Sequence, residues 1–272
     1  MRFLLQWKTG LLLAFLLCSR GVYGQDNCYL PNTAWQPGEK LRFKAWYNMS
    51  AIWVGAGEAT FTVSNATVGG RPAYHFVGEG RTLRSYEWFF KVRDRYESFV
   101  DAETLRPQRF VRQVNEGSIH FTEAVTFDVA NSRATSPKKV LLLPQCFQDV
   151  ISTLYYARNI DFTRYAPGTR IPIKMYLEDK IYDFYVKYLG KERIKTRYGT
   201  FNALKLAPLL IEGNVFKEGG EKMTLWISDD ANRLPLRINS PVVIGSVKVD
   251  LMGFENLRNP LTSLVNRKGE SD

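Results

Sequence analysis

The sequence is short of the residues that carry most metal and nucleophile chemistry. Its 272 positions include three cysteines and two histidines. His75 and His120 each stand alone, and neither Cys-x-x-Cys nor His-Glu-x-x-His occurs, so no metal centre is expected. A Gly-x-Ser-x-Gly nucleophile elbow is missing too. The glycine-rich places, Gly55-Ala56-Gly57 and Gly219-Gly220, lack the following Lys-Ser/Thr and helix that would cradle a nucleotide. No cofactor is expected. After the first 24 residues no apolar run approaches the roughly 20 residues that a membrane-spanning helix needs, so the mature chain is expected not to span a membrane. Disorder is excluded by an apolar fraction of 45% and an aromatic fraction of 14%.

What is present begins with an export signal. Arg2 and Lys8 precede the apolar run Leu11 to Leu17, and Val22-Tyr23-Gly24 ends in a small residue before Gln25. This is the layout of a secretory signal peptide over residues 1–24, with cleavage expected near Gly24. Leu17 stands where a lipidated Cys18 would need a small residue. Cleavage removes Arg2, Lys8 and Arg20 and lowers the net charge from +10 to +7. It leaves Cys28 and Cys146 as the only cysteines. In an oxidising compartment the two can pair and close a loop of about 120 residues; two buried free thiols are the alternative. Nucleic acid is not an expected partner of an exported chain.

An N-terminal arm over 25–37 leads into a β-rich region over 38–258, followed by a tail over 259–272. Leu41, Phe43, Ala45 and Tyr47 alternate with Arg42, Lys44 and Trp46, and Ala59, Phe61 and Val63 alternate with Glu58, Thr60 and Thr62. Period-two patterning of this kind marks half-buried antiparallel strands. Eleven or twelve such segments predict a mainly β fold: a curved antiparallel sheet or open β-barrel-like architecture with one principal helix. The helix is expected over 145–160, where Phe147, Val150, Ile151, Leu154 and Ala157 take helical spacing behind Pro144. It would act as a lid, or as a crossover between β halves at 38–143 and 167–253. The halves share an echo, since Pro37-Gly38 and Pro167-Gly168 each open a strand.

Candidate site residues fall into three groups. Glu123 sits on the apolar face defined by Ile119, Phe121, Val125 and Phe127, where a carboxylate must pair, with Arg112 for example, or hold a proton for catalysis. Asp229 and Asp230 are the other acidic candidates, in a segment that also reads as a hairpin turn. The basic residues Lys187, Lys191, Arg193, Lys195 and Arg197, with Lys138 and Lys139, form either an anion-binding stretch or a solvated hairpin. Among the rings, Trp46, Trp53, Trp88, Phe89, Tyr155, Tyr182 and Phe184 are candidates for binding an apolar ligand. Rings lie on both faces of the strand at 181–188, which requires a second layer or a curved sheet around a cavity.

Several segments together resemble a known family. They are Gly38-Glu39-Lys40-Leu41, Gly55-x-Gly57-Glu58-Ala59-x-Phe61, Arg93-Asp94-Arg95-Tyr96 before Phe99-Val100-Asp101, Gly199-Thr200-Phe201-x-Ala203, and Leu225-Trp226-Ile227-Ser228-Asp229-Asp230 followed by Leu234-Pro235. The pattern resembles the exported bacterial family called domain of unknown function 3108, over about residues 30–255, and is similar to its Bacteroidetes members. The resemblance implies an envelope protein, periplasmic in a Gram-negative cell, with no activity to carry over. The family is also similar, at the level of fold, to envelope carriers of the lipoprotein-localisation type, in which an unclosed barrel and a helical lid surround an apolar cavity.

Three functions remain. The leading expectation is a non-enzymatic protein that binds or carries a lipid or other amphiphile. The others are an envelope glycan hydrolase or lyase using carboxylates, and an assembly partner of another envelope protein. An apolar cavity favours the first, carboxyls facing each other across a cleft the second, and an aromatic patch beside an unpaired sheet edge the third.

Overall fold

The computed structural model describes residues 28, 30–49, 52–88, 90–209, 220–242 and 245–267. The expected signal peptide at 1–24, Phe89 and the last five residues of the tail lie outside them. The first part of the chain forms β1 (Lys40–Met49), β2 (Ile52–Val68), β3 (Arg71–Thr82), β4 (Arg93–Asp101), β5 (Pro107–Glu116), β6 (Ile119–Asp128), β7 (Arg133–Thr135) and β8 (Val140–Leu142). There follow β9 (Gln148–Asp149), α1 (Val150–Ala157), β10 (Arg170–Leu177), β11 (Lys180–Lys195), β12 (Gly199–Pro208), β13 (Thr224–Ser228), β14 (Pro235–Pro241), β15 (Ser246–Glu255) and β16 (Leu264–Arg267). The fold is mainly β, as the alternation predicts.

All the strands belong to one sheet, in the order β8-β7-β6-β5-β4-β3-β2-β1-β15-β14-β13-β12-β11-β10-β9, with β16 added beside β12. The sheet is antiparallel except for the short β9–β10 pair, and the β1–β15 pair joins its early and late strands. The sheet curls until its two ends face each other. Side chains bridge that seam: Tyr176 packs edge-on against Phe127 at 5.1 Å, and Arg112 reaches Glu178 at 3.1 Å. The result is barrel-like without being a closed barrel.

Two turns show why glycine is needed. Gly38 and Gly168 have φ of +88° and +96°, a region costly for any residue with a Cβ, and each turns the chain into a strand, β1 and β10.

The helix is shorter than its spacing predicts. Gln148 and Asp149 pair with Met175 and Tyr176 of β10, so helical geometry starts only at Val150. Asp149 caps it, accepting from the Ile151 and Ser152 amides at 2.9 and 2.8 Å. This satisfies donors that the first helical turn leaves open. Between β3 and β4, Arg84–Tyr86 forms a 3-10 turn.

The helix and the N-terminal arm fill one end of the barrel. Trp35 of the arm packs edge-on against Phe76 and Tyr155 at 4.9 and 5.7 Å and donates from Nε1 to the Tyr155 carbonyl at 3.2 Å. Gly78 makes room for this plug: a Cβ there would stand 2.9 Å from Phe61 and 3.1 Å from Ile151. Cys28 and Cys146 are joined as a disulfide, tying the arm to the segment before β9.

Candidate functional site

The inner face of the sheet can be followed as rows of cross-strand neighbours from the plugged end to the other. The deepest row, Val63, Phe76, Ser98, Phe110 and Val125, is buried throughout and packs near α1. Next comes Leu41, Phe61, Gly78, Tyr96, Arg112 and Glu123. The third row runs Leu251, Phe43, Ala59, Gly80 and Asp94. A fourth row runs Leu225, Ile238, Val249, Ala45, Gly57 and Thr82; every one of its members is partly exposed, and Leu225 packs against the cluster that also receives Tyr156 and Ala157 of α1.

This gradient defines a cup. One end is closed by α1 and the arm, where the gap beside Trp35, Phe76 and Tyr155 admits no water-sized sphere. The other end presents inward-facing apolar side chains that keep some contact with solvent. Small residues, Gly57, Ala59 and Gly80, lie there on adjacent strands; nothing stands within 4 Å of where a Gly80 Cβ would project, whereas one at Gly57 would meet the Arg81 carbonyl at 3.1 Å.

At the lip, the inner-face residues Asp94 and Glu116 share a hydrogen bond. Burial, and then the Asp94 carboxylate, push the Glu116 carboxyl up to about 7. The Asn115 amide also donates to Asp94, at 2.9 Å. Tyr96 lies nearby, its hydroxyl pushed up to about 12 by burial and by Asp94. Deeper in, Glu123 is buried and paired with Arg112, whose guanidinium lies 4.8 Å from the Phe121 ring.

The candidate rings occupy different places. Phe184 faces inward and packs on the cluster of Ile171, Ile173 and Val186, and Tyr182 lies opposite Met175 in the same hairpin. Tyr155 belongs to the plug. Trp46 lies on the outer face, covered by Lys44 at 5.9 Å and Arg197 at 4.6 Å. Trp53 is exposed with Lys248 at 4.4 Å from its ring, and Trp88 is exposed in the β3–β4 connection.

The basic run lies along the outer face with local partners. Lys187 pairs with Glu221 at 2.8 Å, Lys191 with Asp229 at 2.8 Å, and Arg193 contacts Asn202 at 3.4 Å. Lys195 is exposed. Contact with Lys187, together with Tyr185 and Arg170, pulls the Glu221 carboxyl down to about 2. Lys191, Glu192, Asn202, Asp229, Thr262 and Ser263 line a shallow polar depression of about 270 Å³. Asp230 organises a turn, accepting from Ser228 at 2.8 Å, the Asn232 amide at 3.0 Å and Ser263 at 2.6 Å.

Sequence reading alone passed over Asp94, Glu116 and Gly80. Gly57 and Gly80 each end a Gly-x-Gly in the sequence, but only the strand register places Gly80 beside Ala59 and Asp94. Among the described residues no group of three or more His, Cys, Asp or Glu side chains is placed to hold a metal ion. Likewise, no helix among them is long and apolar enough to cross a membrane.

Fold and site together define a barrel-like β protein, plugged at one end and open at the other. The chain belongs to the family described as protein of unknown function DUF3108, whose model matches residues 45–252. Among solved structures it is similar to a β-barrel-like protein of the unknown-function family DUF1849 from Brucella abortus, with a TM-score of 0.55 at 10% identity, covering 84% of this chain and 100% of that one. A Bacteroides fragilis protein described as exported, with a YmcC-like fold, aligns at a TM-score of 0.32 and 10% identity over 84% of this chain and 98% of that one. A Parabacteroides distasonis protein described as a lipoprotein aligns at 0.32 and 10% over 84% and 99%. No curated protein matches the sequence.

Proposed function

We propose that this is an exported, periplasmic, non-enzymatic protein that binds an amphipathic envelope molecule with its apolar part in the cup. One observation carries the reading: Ile238, Val249 and Ala45, cross-strand neighbours on the inner face, are apolar and partly exposed. Apolar surface left in contact with water gains about 25 cal/mol per Å² when a ligand covers it. Gly80 leaves space for an alkyl chain, and the polar groups at the lip suit a headgroup in contact with water.

Glycan hydrolysis finds less support. Asp94 and Glu116 touch each other, whereas carboxyls that cleave a glycosidic bond stand about 5 to 9.5 Å apart to admit it. Glu123 is held by Arg112, and Asp229 and Asp230 serve an ion pair and a turn. A second reading is favoured by β8, a terminal strand with exposed Val140 and Leu142, which offers an edge for strand addition by a partner protein.

Native mass spectrometry of the mature protein purified from an exporting envelope, followed by organic extraction, tests the choice. A stoichiometric amphiphile is the expected result. A bare protein mass with nothing extractable contradicts the carrier reading and moves the weight to β8.

A further inference from the structure

The open end of the cup carries an unusual concentration of exposed apolar groups. Trp88 is 82% exposed and Phe90 49% exposed in the β3–β4 connection, Ile119 and Phe121 are 44% and 40% exposed at the start of β6, and Trp53 is 41% exposed near the start of β2. The topology brings all three places to the end opposite the helix. Scattered surface hydrophobes need no explanation, but a set gathered around one opening does.

The β3–β4 connection is held in place. The Thr82 amide donates to the Val92 carbonyl at 3.1 Å, and the Val92 amide returns to the Thr82 hydroxyl at 3.1 Å. Leu83 is tied to the Ala56 carbonyl and Gly117 to the Lys91 carbonyl, both at 2.8 Å. The Phe90 ring lies 3.1 Å from the place a Cβ would occupy at Gly117. Trp88 is thus presented by an ordered turn, and its Nε1 donates to the Ser85 carbonyl at 3.0 Å. An indole whose polar hydrogen already has an internal acceptor can enter a less polar medium without leaving that donor unsatisfied.

Beside the acidic pair Asp94 and Glu116 at the lip, the exposed charges that flank the β3–β4 rings have the sign that suits an anionic surface. Arg84 and Lys91 flank the exposed aromatics in sequence and are exposed, while Arg93 and Glu87 neutralise each other in an ion pair. Lys248 rides on Trp53. Aromatic rings at headgroup depth with flanking basic residues are the components of interfacial membrane attachment.

We propose that the open end docks on the surface of a bilayer containing anionic phospholipid, with Trp88 as the main inserted side chain and Phe90, Ile119 and Trp53 around it. The inference rests on the cup reading for its purpose, since docking at this end faces the apolar opening toward the source of an amphiphile. It concerns attachment to the surface, without spanning.

Flotation of the mature protein with vesicles tests it. Phosphatidylcholine containing one quarter phosphatidylglycerol is compared with pure phosphatidylcholine, for the wild type, Trp88→Ser and the pair Arg84→Glu with Lys91→Glu. The wild type is expected to float with the mixed vesicles more than with the neutral ones. Trp88→Ser is expected to lower partitioning by about tenfold, and the charge reversals to abolish the preference for phosphatidylglycerol. These positions are exposed, and an unchanged melting temperature checks that the variants fold.

Absence of wild-type flotation, or equal flotation by wild type and Trp88→Ser, overturns the proposal. Solution binding of a lysophospholipid below its critical micelle concentration is read separately. If Trp88→Ser keeps that binding but loses flotation, docking and cup are distinct and both stand. If the wild type floats but binds no lysophospholipid, the surface docking stands and the cup reading fails.

Discussion

Arg158 and Glu39 form a two-pronged ion pair sealed inside the molecule, Nη1 to Oε1 at 2.6 Å and Nη2 to Oε2 at 2.8 Å. Arg158 follows directly on α1, and Glu39 precedes β1. The same guanidinium donates to the carbonyls of Asn232 and Ala34 at 3.1 and 3.3 Å. One side chain thus fastens the helix to the arm, the first strand and the turn after β13. Removing either partner leaves a charge in the interior without its counterion.

Arg158→Met should therefore destabilise the protein by about 3 to 5 kcal/mol. Replacing both Arg158 and Glu39 with methionine should cost less than Arg158→Met alone. Denaturant midpoints of the wild type, Arg158→Met, Glu39→Met and the double variant provide the comparison. A double variant as unstable as the sum of its single variants would show the pair to be uncoupled.

The disulfide should add stability without shaping the site. Cys28 and Cys146 are 118 positions apart, and on the chain-entropy model closing such a loop contributes about 4 to 5 kcal/mol. Replacing both with serine should lower the denaturant midpoint accordingly. Circular dichroism at the start of the titration should stay unchanged.

Stability should fall as pH rises through the neutral range. Burial lifts the Glu116 carboxyl to about 7 and the Asp149 carboxyl to about 6, so between the ordinary carboxylate range and neutrality the folded state binds more protons than the unfolded one. In that window stability decreases with rising pH. Glu116→Gln removes one of these ionisations and should raise the melting temperature at pH 8 more than at pH 5. An equal shift at both values would show that the pair with Asp94 does not titrate there.

Much of the architecture was legible in the sequence, because period-two alternation reports a sheet with one buried face. Leu41, Phe43 and Ala45 point inward as their spacing says. The helix was legible in place but not in length, since Gln148 and Asp149 have apolar neighbours at helical spacing and yet pair with β10. The cup was not legible. It depends on register, which sets Ala59 beside Gly80 and Gly80 beside Asp94, and register is a tertiary property that composition does not encode. The lip pair is hidden for the same reason, with Asp94 and Glu116 on different strands.

Titration of a fluorescent lysophospholipid below its critical micelle concentration, against wild type and Gly80→Leu, tests the cup most directly. A Cβ at Gly80 meets open space, so the leucine should fill the cup without straining the sheet. Saturable one-to-one binding by the wild type is expected, weakened by about tenfold or more in Gly80→Leu at an unchanged melting temperature. Equal binding by both proteins, or none by the wild type, would contradict an amphiphile seated between these strands.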